Sequence, residues 1–500
     1  MAGRGLVFAH SRGGWTDTLM RRAEQILVIF SLLAIAGAGT LAVVHAGDRY
    51  RVDVASGARI ALAQYAAHGE LYPELHSDGF YGGTRFMPLP VVLHRWVSEA
   101  TGEFLRSGKL LGYVTMVALL IVMMLLLKKM GCPPAIVLGS AALVLVTRTG
   151  LGAMMSLRSD SLPLLLQVAS IGLISSPRRS WTTLSASALA ALALVAKLSA
   201  VWAAVAAFLW LLLRDKRRAV HFAASYFLFA GALLWIFGMT TDGRIYENVF
   251  GLAGAGIDAS SVVRAPYRLV QLGVAEATSA WLLLPLATAG TLLTLRGRKP
   301  SIYSLALICA FAVLVAVLTD IGTGWNQLID LAVLVPLALG STIRWESEAS
   351  WRTLVAAVMA GAIMFGGASI LTPELLQTVS LFGGEETYEV RPLSGRATHS
   401  TTLLSEDPYV PVSVGQTPVV LDPFILLRIG RDNPGAVDEL IARIRDREFD
   451  LVVLVVALSP PQQAWWRDYH FGTDVAVAID ESYVYAGRMQ GYHLYEPRSR

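Results

Sequence analysis

Eight polar side chains border or enter apolar runs, where charge is costly and usually serves a purpose. They are Asp48 and Asp53 in "GDRYRVDVASG" (47–57), Arg158 and Asp160 in "MSLRSDSLPLLL" (155–166), Lys197 in "LVAKLSA" (194–200), and Asp320, Asn326 and Asp330 in "LTDIGTGWNQLIDLAVL" (318–334). Arginine and lysine hold phosphate through charge-assisted hydrogen bonds. A carboxylate takes a proton from an attacking hydroxyl. Brought together at a membrane surface, these groups make a pocket for a ligand that is half lipid and half phosphate, with the tail between helices. Each also has a simpler reading. Asp160 and Asn326 are good helix caps. Lys197 is a flank residue able to snorkel, and Asp48 is a solvated partner for Arg49 or Arg51. Asp330 resists such a reading: it lies four residues past Asn326, on the same helical face and one turn deeper.

The elements that must position these groups are membrane helices. The chain has 500 residues, 54% apolar and 16% charged, with mean hydropathy +0.54. Soluble domains carry roughly 25% charge, so the composition points to a polytopic membrane protein. The net charge of +4 is spread over short basic clusters between apolar runs and does not form a nucleic-acid patch. Cys132 and Cys309 lie in or beside apolar segments without ligand partners, which excludes a disulfide framework or zinc site from the reading.

The first apolar run, "ILVIFSLLAIAGAGTLAVV" (26–44), follows basic residues and has no small-residue cleavage site after it, so it reads as a retained span. Ten more follow at about 110–127, 134–147, 161–175, 182–196, 198–213, 219–239, 279–295, 302–319, 326–342 and 353–371. The pair 182–213 is read as two spans joined at Lys197, because 32 residues overshoot one bilayer. With the N-terminus inside, one side collects Arg4, Arg12, Arg21 and Arg22; Lys128 and Lys129; Arg178 and Arg179; Arg214, Lys216, Arg217 and Arg218; Arg296, Arg298 and Lys299; and Arg344 and Arg352. That is the positive-inside pattern, and it favours eleven spans over ten.

The outer side then holds the length. A loop at about 46–109 carries two helix-like stretches suited to the interface, "VDVASGARIALAQYAAHG" and "LPVVLHRWVSEATGEFL". A second outer loop runs over about 240–278. From 376 the chain turns polar, then gives a helix pattern in "PGAVDELIARIRDREFD", a buried strand in "LVVLVVAL" and strand–turn–strand in "SYVYAGRMQGYHLYEP". The expected architecture is a cytoplasmic tail (1–24), a helical membrane domain (25–375) and a small extracytoplasmic α/β domain (376–500). All eight polar residues fall at or just below the outer interface.

Several segments resemble those of GT-C glycosyltransferases, polytopic enzymes that use polyprenyl-phosphate sugars. "HGELYPELHSDGFYGGTRFMPLPVVLHRW" (68–96) resembles their "G-x-x-L-Y … Y-x-P-L" loop, and "LRSDSLPLLLQVASIGLI" their "R-P-D-x-L-A" motif, with Ser159 in place of proline. "ALVAKLSAVWAAVAAFLWLL" is similar to their "K-x-[ST]" helix break, and "GTGWNQLIDLAVLVPLALG" to their "N-Y-x-x-E" helix, with Asp330 in place of glutamate. "LLSEDPYVPVSVGQTPVVLDPF" and "YEP" resemble the tail of bacterial members. The chain departs from the family in "YGGTRFMPLP", where many members have two adjacent prolines.

The resemblance implies a plasma-membrane glycosyltransferase working at the outer face on a cell-envelope glycan or lipid acceptor. It implies an aspartate base in the first outer loop, about sixteen residues before the glycine of "G-x-x-L-Y". Asp53 is 16 residues from Gly69 and Asp48 is 21, which favours Asp53 as base and Asp48 as support. Arg158 and Lys197 would hold the donor phosphate, with Asp160, Asn326 and Asp330 supporting them. Direct attack would invert the anomeric centre. No metal or other cofactor is expected, because such a donor brings no nucleotide diphosphate. The alternative is a transporter or flippase for a lipid-linked precursor, which wants midplane polar residues and broken helices in repeated pairs; the sequence has neither. A non-catalytic scaffold is the third reading. In the outer domain Trp465, Trp466, Tyr483 and Tyr485 are candidates either for core packing or for stacking on sugars.

Overall fold

The computed structural model describes residues 12–47, 53–158, 160–176, 180–252, 259–276, 278–296, 300–320, 322–343, 345, 349–382, 393 and 395–499. Asp48 lies outside the described residues, as do Arg49, Arg51 and Ser159, and, from the basic clusters, Arg4, Arg178, Arg179, Arg298, Lys299 and Arg344.

Each of the eleven apolar segments carries a helix. α1 (Arg12–His45) is followed by the two loop helices α2 (Val54–Ala67) and α3 (Pro88–Thr101). Then come α4 (Phe104–Lys129), α5 (Pro134–Leu145), α6 (Arg148–Met155), α7 (Ser161–Ile174) and α8 (Ser180–Ala196). α9 (Trp202–Leu212) and α10 (Lys216–Thr240) lead to α11 (Ala259–Glu276) in the second long loop. α12 (Thr278–Arg296), α13 (Ile302–Val317), α14 (Ile329–Thr342), α15 (Ala349–Gly366) and α16 (Thr372–Phe382) complete the helical part.

By length and composition, five stretches are long and apolar enough to cross a membrane alone: Thr18–His45, Phe104–Lys129, Lys216–Thr240, Thr278–Arg296 and Ser350–Ser380. Their exposed flanks are apolar, as Leu33, Val114, Phe227 and Leu293 show, which suits contact with lipid and not water. The others are shorter. α7, α8, α9 and α13 are apolar but fall below 18 residues, and α5 meets α6 at a bend of 73°. The eleven-crossing count therefore rests on the charge pattern and not on helix length. α14 explains the shortness: from Ile329 to Gly340 all its residues but Asp330 are buried, so it is wrapped by protein. Breaks in such helices are tolerated because the freed backbone groups lie inside protein. The break between α8 and α9 falls at residues 197–201, starting at Lys197.

The C-terminal part adds a small α/β domain. Its elements are β1 (Leu403–Ser405), α17 (Tyr409–Ser413), α18 (Pro423–Asp432), α19 (Gly435–Arg445), β2 (Leu451–Leu454), α20 (Thr473–Ser482), β3 (Tyr483–Met489) and β4 (Tyr492–Pro497). The sheet order is β1-β2-β4-β3, with β1–β2 parallel and the other pairs antiparallel. Trp466 and Tyr483 are core residues, buried with Leu404, Val452 and Ile479. Trp465 donates its indole N–H to Glu406 across 2.7 Å, while Tyr485 is exposed.

This domain is stitched to the α2–α3 loop. Tyr81 N donates to Val419 O (2.7 Å) and Tyr81 O accepts from Leu421 N (2.8 Å). The Tyr81 ring enters the domain core, where its hydroxyl accepts from Leu440 N. Asp407, just after β1, packs on Gly57 of α2, so closely that a Cβ on Gly57 would lie 2.0 Å from Asp407 Oδ1.

Candidate functional site

The site is built outward from the first turn of α2. Asp53 is its N-cap, and Oδ1 accepts from Ser56 N at 2.7 Å. That leaves Oδ2 free to pair with Arg158 Nη2, 2.8 Å away. One carboxylate thus starts a helix and joins the α6–α7 connection. The same turn grips that connection again. Ser56 Oγ accepts from Leu157 N (3.2 Å), and Arg59 Nη1 donates to Leu157 O (2.9 Å). Leu157, the residue before Arg158, is therefore held at both its N–H and its carbonyl by "SGAR" (56–59).

Arg59 is only 4% exposed and lies over the Phe86 ring, 4.9 Å from its centre. Its Nε–H is buried without a hydrogen-bond partner. Burial lowers its pKa to about 10, against the pull of Asp160 and Asp53, so it is a cation at neutral pH. For Asp53, burial pushes the carboxyl up, but Arg158 and the Ser56 N–H outweigh it and hold the pKa below the ordinary 3.8. Arg158 shifts the other way: burial disfavours its charge, and Asp53 and Asp160 more than restore it.

Asp160 stands at the N-cap of α7 yet makes no side-chain capping bond there. It is 6% exposed and turns to Lys197, with Nζ to Oδ1 at 2.7 Å. Asn326 Nδ2 donates to both Asp160 oxygens at 3.2 Å. So Asp160 and Asn326 bind each other in place of capping their helices, and Lys197 pairs instead of snorkelling. One layer below, Trp202 Nε1 donates to Asp330 (3.2 Å) and Ser199 Oγ to Gln327 (3.3 Å). Asp320 accepts from Gly322 N at 2.8 Å, closing its own turn.

Five of the seven remaining sequence candidates therefore meet in two linked groups, Asp53–Arg158 and Asp160–Lys197–Asn326, and Asp330 sits beneath them. Sequence reasoning missed Ser56, Arg59 and Trp202. The signal for Arg59 was an arginine inside an otherwise uncharged helix. Ser56 and Trp202 are common helix residues and gave none. Among the described residues no three His, Cys, Asp or Glu side chains gather as a metal cage.

A first membrane helix, two loop helices, a bundle of broken membrane helices and a C-terminal α/β domain make up the GT-C fold that the sequence motifs resemble. Solved structures carry the same fold. ArnT from Cupriavidus metallidurans in the apo state is 13% identical, with TM-score 0.62, covering 93% of this chain and 97% of that chain. ArnT bound to undecaprenyl phosphate matches at 12% identity and TM-score 0.61 with the same coverage. The Archaeoglobus fulgidus oligosaccharyltransferase in the apo form is 11% identical, TM-score 0.51, covering 98% of this chain and 75% of that chain. At these identities the likeness is one of fold. No protein-family model matches the sequence, and no curated protein matches it.

Proposed function

We propose that the protein is a membrane glycosyltransferase that moves a sugar from a polyprenyl-phosphate donor to a cell-envelope glycan or lipid acceptor at the outer face. The observation that carries this reading is the meeting of Asp53–Arg158 with Asp160–Lys197 in one cluster, in a fold that ArnT uses to bind undecaprenyl phosphate.

Arg158 and Lys197 hold the donor phosphate. In the resting cluster Arg158 is occupied by Asp53, which depresses the basicity of that carboxylate. A phosphate that takes over the guanidinium removes the depression, and the pKa of Asp53 rises toward what a general base needs. Asp53 takes the acceptor hydroxyl's proton. The acceptor oxygen forms a bond to the anomeric carbon as the bond from that carbon to the phosphate oxygen breaks. The bonding pair leaves with the phosphate, whose new charge Arg158 and Lys197 offset. Attack from the opposite face inverts the anomeric configuration. Asp160 and Asn326 keep Lys197 in place, and Asp330, held by Trp202, supports them from below.

The test is transfer of labelled sugar in membranes carrying Asp53→Asn. Asparagine keeps the oxygen that caps α2 and loses the base. A loss of about 10²–10⁴-fold is expected; activity close to wild type removes Asp53 from this role. Release of free polyprenyl phosphate, measured in the same assay, separates a transferase from a transporter.

A further inference from the structure

α7, α9 and α14 all begin at the cluster described above, at Asp160, Trp202 and Asp330. Their far ends meet again around a cavity of about 310 Å³. Its polar lining is Ser175, Trp210, Arg214, Ser301, Tyr303 and Ser341. From Asp330 to Gly340, α14 rises about 15 Å, so this cavity is separate from the candidate active site.

The lining is rich in donors. Trp210 Nε1 is buried without a hydrogen-bond partner. Such an orphan is costly unless something fills its need. Arg214 lies over the Trp210 ring, 4.3 Å from its centre, and donates one bond, from Nη2 to Pro300 O at 3.2 Å. A guanidinium has five N–H donors in a planar fork, so most of this one is available. Ser301 and Ser341 bring hydroxyls together at 2.7 Å, and Tyr303 adds a third. Among the described residues no carboxylate lines the cavity. The adjacent Asp215 is engaged at the start of α10, where it accepts from Arg218 N at 3.2 Å.

A cation, an unpartnered indole N–H and hydroxyls suit a phosphate group. Two further features say what carries it. Leu212 and Leu213, next to Arg214, are 41% and 67% exposed, an apolar rim on which acyl chains can lie. Lys216 and Arg217 are exposed beyond them and favour a negatively charged bilayer surface. We propose that this cavity binds the phosphate headgroup of an anionic phospholipid, in the leaflet opposite the candidate active site, with Arg214 and the Trp210 N–H as its principal donors.

The experiment uses the full chain in nanodiscs of phosphatidylglycerol mixed with phosphatidylcholine, read by native mass spectrometry. Wild type is expected to retain phosphatidylglycerol. Arg214→Gln removes the charge, and Trp210→Phe removes the indole N–H while leaving a smaller aromatic ring beside Arg214. Each should lower phosphatidylglycerol retention roughly tenfold, as expected from losing one charge-assisted or buried hydrogen bond, with phosphatidylcholine retention unchanged. Equal phosphatidylglycerol retention by wild type and Trp210→Phe overturns the proposal, and that variant decides the matter if Arg214→Gln fails to fold. A second arm adds inorganic phosphate to delipidated protein in detergent. Protection of wild type but not Arg214→Gln from thermal unfolding, without selective lipid retention, assigns the site to free phosphate and overturns the lipid reading.

Discussion

Lys197 Nζ lies 2.7 Å from Asp160 Oδ1, and this contact closes two gaps that the chain leaves in its helices: the break between α8 and α9, and the uncapped start of α7. Asp160 is almost wholly buried and Lys197 mostly so. Removing one partner of such a pair leaves a charge without compensation, which costs about 3–5 kcal/mol. Lys197→Met is therefore expected to destabilise the protein by that order and to abolish transfer. Lys197→Met combined with Asp160→Asn removes both charges and should recover most of the stability without recovering activity. Thermal unfolding in detergent, together with sugar transfer, checks both. A double variant that regains activity would remove Lys197 from phosphate binding.

The Asp53–Arg158 pair has a pH signature. Asp53 is held below the ordinary 3.8 because Arg158 and Ser56 outweigh the effect of burial. The acid limb of kcat/KM, which reports the free enzyme, should lie below that value. Arg158→Gln removes the pull of the guanidinium, so the limb moves to higher pH. Stability follows the same sign. A depressed carboxylate contributes above its unfolded pKa and loses its contribution as pH falls through the folded value. Arg158→Gln should flatten that acid loss. A limb at the same pH in both proteins would falsify the assignment of Asp53 as the titrating base.

Gly57 couples the site to the C-terminal domain. In an exposed helix, Gly→Ala stabilises by up to about 1 kcal/mol. Here a Cβ would meet Asp407 Oδ1 at 2.0 Å and Tyr409 N at 3.2 Å. Asp407 cannot easily yield, because it is fully buried and its Oδ2 accepts from Tyr492 OH at 2.7 Å. Gly57→Ala is expected to destabilise by about 1–3 kcal/mol and to loosen the domain from α2. Limited proteolysis between the helical part and the sheet, alongside thermal unfolding, measures this. An unchanged cleavage rate would mean that the domain is held chiefly through Tyr81.

Much of this was legible in the sequence. Apolar periodicity marked all eleven helical segments and both loop helices, because burial and lipid contact impose it over many residues. It did not mark β1, whose three residues are too few to show alternation, nor α18 and α20, which lie among turn residues. The ion pairs were foreshadowed by residue type alone, since a charge inside an apolar run needs a partner. Which partner it takes depends on three helix ends converging, and no local pattern encodes that. Asp160 shows the limit: "DSLP" has the form of a helix cap, yet the tertiary pull of Lys197 and Asn326 wins the carboxylate. Ser56 was illegible for the same reason, because its role lies in contact with a residue 101 positions away.

Arg59 tests whether that hidden layer matters. It does not touch Asp53 or Arg158 by hydrogen bond; it holds the Leu157 carbonyl, and Ser56 holds the Leu157 N–H. Together they fix the backbone of Leu157, on both sides, just before Arg158. Lysine at 59 would keep the positive charge but lose the planar fork that lies over Phe86 while donating to Leu157, so the exchange is not conservative. Arg59→Lys is expected to lower kcat/KM for the lipid donor by about 1–3 kcal/mol, or roughly 5- to 150-fold, chiefly through KM, because Arg158 is aimed less well at the phosphate. Ser56→Ala should act in the same direction and more weakly. The two losses should combine to less than their sum, since both variants release the backbone of one residue, Leu157. Independent, fully additive losses would show that Arg59 contacts the donor itself and does not act through Arg158.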